Sequence, residues 1–73
     1  MANQSEMQVL EIIGRQLLVR KDELKTLLRK EGFENGAGIT GRLMELGYVQ
    51  CVEAVGSPCY AITQSGLRAL EGK

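Results

Sequence analysis

The stretch from Leu46 to Gly66, LGYVQCVEAVGSPCYAITQSG, constrains the fold more than any other. Gly47 follows directly on the apolar-periodic run Ile39, Leu43, Leu46, which is where a glycine ends a helix. Two runs rich in aromatic and β-branched residues come next, Tyr48 to Val52 and Cys59 to Thr63. Val55-Gly56-Ser57-Pro58 separates them, and its Gly and Pro mark a turn. Thr63-x-x-Gly66 then leads into a last apolar pair, Leu67 and Leu70. The order is a helix, a hairpin and a returning helix, so the remaining segments must supply helices that pack around them.

Length sets the scale of that packing. The 73 residues make one domain, spanning 1–73, with frayed ends expected at 1–4 and 71–73. A chain of this size hides only about 60% of the surface its unfolded form exposes. No apolar run approaches the roughly 20 residues of a membrane span, and the N-terminus carries no apolar signal core, so the expectation is a cytoplasmic protein with no membrane partner.

The absence of His removes imidazole acid–base catalysis, and the two Cys do not form a CxxC pair. Four zinc ligands of the usual kinds are lacking. No Gly-rich phosphate loop and no nucleophile elbow is present. The expectation is a chain that is not an enzyme and needs no cofactor or metal.

Nine basic residues balance nine acidic ones, which provides no general field to hold a polyanion. The distribution is uneven. Arg15, Arg20, Lys21, Lys25, Arg29 and Lys30 are six of the nine cations and fall within sixteen consecutive positions. A phosphate-facing surface would be built there.

Taken in order, Ser5 with Gln8 reads as a capping box opening a first helix. Its apolar face is Met7, Val9, Leu10, Ile12 and Ile13, and Gly14 is expected to stop it. Gln16 to Val19 suits a short strand that pairs with the later hairpin and protects one of its edges. Lys21 to Glu31 reads as the clearest helix, with Leu24, Leu27 and Leu28 buried and Lys21, Lys25 and Arg29 repeating on another face. Asp22 and Glu23 at its start and Arg29 and Lys30 at its end complement the helix dipole. Gly32 stops it, and Phe33 anchors the following turn. Asn35 is the N-cap expected for a third helix over 37–46. Gly36, Gly38 and Gly41 are poor helix formers there, which implies a weak helix start or a close backbone approach to a partner.

The whole pattern resembles a winged helix-turn-helix of the MarR or PadR type. The residues that carry the resemblance are Arg42-Leu43-Met44-Glu45-Leu46-Gly47-Tyr48-Val49, similar to that family's exit from the recognition helix. Tyr60-Ala61-Ile62-Thr63-Gln64-Ser65-Gly66 is similar to its return from the wing. Asp22-Glu23-Leu24 with Leu27-Leu28 matches the preceding helix. The resemblance implies an α+β fold, one winged helix-turn-helix domain of three helices, a small antiparallel wing sheet and a C-terminal helix. It also implies a DNA-binding transcription regulator whose helix 37–46 enters the major groove of double-stranded DNA.

Positions outside the stripe Ile39, Leu43, Leu46 would then face DNA: Gly38, Thr40, Gly41, Arg42 and Glu45. Arg42 is the one able to make a bidentate contact to guanine, and Thr40 could meet a thymine methyl or a phosphate. Lys21, Lys25 and Arg29 would bind phosphates. The alternative is a winged helix used as a protein–protein adaptor. Neutral net charge and an apolar wing tip (Ala54, Val55, Pro58), with no Lys or Arg between 53 and 58, suit that role. A homodimer or a protein partner is compatible with either reading.

Cys51 and Cys59 flank the hairpin turn. They form a redox pair that staples the wing if they face one another. Otherwise they stay reduced as two small half-buried side chains, the expected state in the cytosol. A shift of one residue in register decides which.

Overall fold

The computed structural model describes residues 2–54 and 56–72. Met1 and Lys73 at the ends, and Val55 in the expected turn, lie outside the described residues. The protein is a single α+β unit of four helices and a three-stranded antiparallel sheet. No helix among the described residues is long and apolar enough to cross a membrane.

The first helix, α1, spans Gln4–Gln16 and is capped by Asn3, not by Ser5. The Glu6 amide donates to Asn3 Oδ1 at 2.8 Å, and the Asn3 amide donates to Glu6 Oε1 at 2.9 Å. This is the capping box two residues earlier than expected from Ser5 and Gln8. A carboxylate at the third helical position serves better than an amide because it also faces the positive end of the helix dipole.

Gly14 does not stop α1. A Cβ there would lie 2.9 Å from Leu70 Cδ1 and 3.2 Å from Ile62 Cδ1, so the glycine makes room for neighbouring elements. The helix ends at Leu17, whose amide donates to the Ile13 carbonyl at 3.0 Å. Leu17 holds φ 63°, a conformation that costs an L-residue strain, and its side chain is 58% exposed.

Strand β1, Leu18–Arg20, follows at once, then α2, Lys21–Lys30. Leu24 and Leu28 of α2 are buried and Leu27 is half-buried, so the expected stripe is present. Its C-terminus is a Schellman motif. The Phe33 amide donates to the Leu28 carbonyl at 2.9 Å, the Gly32 amide to Arg29 at 3.1 Å, and Gly32 takes φ +91°. Phe33 packs against the core beyond this turn.

Helix α3 spans Gly36–Glu45, one residue earlier at each end than predicted. Asn35 occupies the cap position but its side chain makes no capping bond. α3 ends like α2: Tyr48 donates to Leu43 at 3.0 Å, Gly47 to Met44 at 3.0 Å, and Gly47 takes φ +80°. This turn feeds β2, Val49–Ala54, which pairs with β3, Ser57–Ile62. Ala54 and Ser57 are partners across the turn, so Ser57 and Pro58 belong to the strand.

Strand β3 is central in the order β1-β3-β2, with Val19 opposite Tyr60 on one side and Cys51 opposite Tyr60 on the other. β1 therefore gives the hairpin the third strand expected from the sequence. Helix α4, Gln64–Glu71, is capped by Thr63, whose Oγ1 accepts from the Gly66 amide at 3.1 Å. The same hydroxyl donates to the Gly47 carbonyl at 2.6 Å, tying the end of α3 to the start of α4.

The core is Val9, Leu10, Ile12 and Ile13 of α1, Val19 of β1, Leu24 and Leu28 of α2, Leu43 of α3 and Val49 of β2. Leu70 packs against it while Leu67 stays 40% exposed, so only half of the expected C-terminal pair joins the core.

Candidate nucleic-acid interface

Lys21, Lys25 and Arg29 recur every four residues, which places successive cations about 6 Å apart along α2 and on one flank of it. All three side chains are exposed. They line a groove of about 310 Å³ between α2 and the start of α3. Phe33, Glu34, Ala37 and Tyr60 form the rest of its accessible wall, over a floor of Leu24 and Leu28. Lys21 and Lys25 also border a second, more open depression with Arg20, Asp22, Ser57 and Pro58. The basic face of α2 thus runs from the hairpin to the α2–α3 turn.

The ion pairs among the described residues do not touch this row. Both involve Arg42: its Nε lies 3.9 Å from Glu6 Oε2 and its Nη1 3.6 Å from Glu45 Oε1. Glu6 is mostly buried and Arg42 is half-exposed. Ala37 and Thr40 face the groove, whereas Arg42 reaches α1 from the opposite flank of α3. The guanidinium expected to read bases therefore lies near two carboxylates and outside the groove that Lys21, Lys25 and Arg29 line.

Thr40 is corrected outright. It is 2% exposed, and its Oγ1 donates to the Gly36 carbonyl at 2.8 Å. The helix rotation buries Gly36, Thr40 and Leu43 together and turns Ile39 only half inward, so the core stripe is shifted from the one predicted. The residues that α3 exposes are Ala37, Gly38, Gly41, Arg42, Met44 and Glu45.

Cys51 and Cys59 do not face one another. Cys51 lies opposite Tyr60, and Cys59 lies opposite Val52. Adjacent positions point to opposite sheet faces, so the two sulfurs lie on opposite sides of the sheet; Cys51 is exposed, Cys59 is buried, and both are free thiols. The redox pair is excluded by this geometry.

Sequence reasoning missed two residues of the groove wall, Tyr60 and Phe33, while a third residue of the basic face, Arg20, was already in the cation cluster. Tyr60 reaches the groove only because β3 is central and its register with β1 places it opposite Val19. Phe33 was expected in the core, and it also forms groove wall. Arg20 enters because it directly precedes α2 and borders the hairpin depression. Its position in the cation cluster was the one available signal.

Comparisons of the chain with protein-family models, with curated proteins and with solved structures returned no match. The functional reading therefore rests on the geometry.

Proposed function

We propose that this chain is a winged helix-turn-helix module that binds double-stranded DNA chiefly through phosphates, as part of a cytoplasmic transcription regulator. The observation that carries the reading is the row Lys21, Lys25, Arg29, three exposed cations with no acid partner among the described residues. The element order supports it: helix, strand, helix, helix, hairpin, helix. In such a module α2 lies along the backbone and α3 approaches the groove.

Base reading is subordinate in this account. Thr40 is buried, and Glu6 and Glu45 stand near enough to the half-exposed Arg42 to compete with a base for its N–H groups. Phosphate contacts fix position without carrying sequence information. Binding is then tolerant of sequence. Fluorescence anisotropy with several unrelated duplexes tests this: affinities within a few-fold of one another are expected, and Arg42→Ala is expected to leave them nearly unchanged. A large loss in Arg42→Ala confined to one duplex sequence would overturn the phosphate-led reading.

A second reading, a protein–protein adaptor or homodimer, is favoured by Leu17 and Leu18, which are 58% and 47% exposed where α1 turns into β1. Such an apolar contact would survive added salt, whereas phosphate binding would not.

A further inference from the structure

We propose that β2 is a docking edge for a second copy of this chain, and that two copies pair β2 to β2 about a two-fold axis at Cys51 to form one continuous sheet. The proposal is independent of the DNA-binding reading. It also uses the sheet edge opposite to the one where Leu17 and Leu18 are exposed.

The hydrogen-bond pattern fixes which backbone groups are left to pair. The Thr63 amide donates to the Tyr48 carbonyl at 2.9 Å, and the register of β2 with β3 continues from there. Bonded pairs alternate with unbonded ones along an antiparallel ladder. Gln50, Val52 and Ala54 therefore turn their backbone groups to β3, while Val49, Cys51 and Glu53 turn theirs to the outer edge. Two further observations agree with this phase. Ile62, opposite Val49, donates away from β2, to the Leu17 carbonyl at 3.1 Å. Pro58, which has no N–H to give, stands opposite Glu53, where β2 asks for none. β2 ends the order β1-β3-β2, so no strand among the described residues meets its outer groups.

Free edges are blunted in monomeric folds by shortness, lysine, proline or a bulge. β1, the other edge, has three residues and runs straight into α2. β2 has six, VQCVEA, in unbroken register and with neither Lys nor Pro. Its one charge is Glu53.

Self-complementarity selects the occupant. With the two-fold at Cys51, Val49 of each copy meets Glu53 of the other and Cys51 meets Cys51, so every outward N–H and C=O finds a partner. The two Glu53 side chains then lie at opposite ends of the contact. A slide in one direction brings them together, and like charges repel across strands. A slide in the other carries Glu53 past the end of β2 onto Gly47. Zero net charge adds no repulsion between copies. The contact is about 20 Å long, short of a standard interface, so association is weak and reversible.

The test is sedimentation velocity of the intact chain up to roughly millimolar concentration. A concentration-dependent dimer is expected. Cys51→Lys sets two cations face to face from an exposed position, and Cys51→Pro removes only an outward N–H. Each should weaken the dimer at least tenfold with wild-type circular dichroism, and Leu18→Ser should leave it unchanged. Diamide gives a second readout, since it takes two electrons and two protons from a pair of thiols and leaves a disulfide. Bonded antiparallel partners stand about 5.5 Å apart at Cα, within disulfide reach. Cys51 should cross-link between copies, while the buried Cys59 stays inert. Cys51→Ser/Glu53→Cys puts its two exposed thiols about 14 Å apart and should cross-link at least tenfold more slowly. A chain that stays monomeric to millimolar concentration would overturn the proposal. So would equal cross-linking at the two positions, or a dimer kept in both Cys51 variants and lost in Leu18→Ser.

Discussion

Leu17 is the residue whose conformation is least compatible with its identity. Its φ of 63° is one that glycine adopts freely, and its side chain is largely in solvent, so it gains little packing in return. Leu17→Gly is expected to stabilise the fold by about 1 kcal/mol, read as a raised Tm; a lowered Tm would mean that the exposed side chain makes contacts worth more than the strain. Gly66 is the opposite case. A Cβ there would collide with the Tyr48 carbonyl and the Ile62 side chain, just where α4 begins over the α3–β2 turn. Gly66→Ala should destabilise by about 1–3 kcal/mol, the range for overpacked sites, in a denaturant melt. These two positions show what the sequence could and could not reveal. Thr63-x-x-Gly66 was legible because a threonine cap three residues ahead of a small residue is a local signal. Leu17 was not, because nothing in its neighbours announces that a helix must turn sharply into β1 there. Ser5 misled because Asn3 offers the same chemistry two residues earlier, and only the helix start decides between them.

At the level of elements, α2 and α3 use glycine in different ways. Gly32 and Gly47 end their helices at positive φ, and both were readable from their place just past an apolar-periodic run. Gly36 is required by packing, since a Cβ would lie 2.7 Å from Leu28 Cδ1. Gly41 is exposed in the helix interior with open space where a Cβ would be. Gly41→Ala should therefore stabilise α3 by about 0.5–1 kcal/mol, raising Tm by several degrees in a domain of this size. Gly36→Ala should do the reverse. Equal effects in the two variants would contradict the assigned packing of α3 on α2. Spacing alone could not separate these glycines, because the distinction lies in what stands opposite them. The same limit hid Thr40. Predicting which side of a ten-residue helix faces inward from Ile39, Leu43 and Leu46 leaves the boundary uncertain by one position, and Thr40 lies on that boundary. The cations of α2 escaped the problem because Leu24 and Leu28 define a narrow buried stripe, and the row falls clear of it.

For the whole molecule, zero net charge conceals segregation. The basic row faces a groove and the hairpin, while Glu6 and Glu45 stand beside Arg42 on the other flank of α3. The fold class and order of elements could be read along the chain because they depend on local punctuation and periodicity. The site could not be completed that way, because Tyr60 and the separation of Cys51 from Cys59 depend on strand register. In the proposed function, α2 binds duplex phosphates with Lys21, Lys25 and Arg29. The most direct measurement is the salt dependence of duplex affinity for the wild type and for Lys21→Ala/Lys25→Ala/Arg29→Ala. With three phosphates neutralised, affinity should fall roughly 40-fold between 50 and 200 mM salt, from a log–log slope of about −2.7, and the triple variant should lose both the binding and the slope. A wild type that binds no duplex at low salt, or a triple variant with the wild-type slope, would contradict the account.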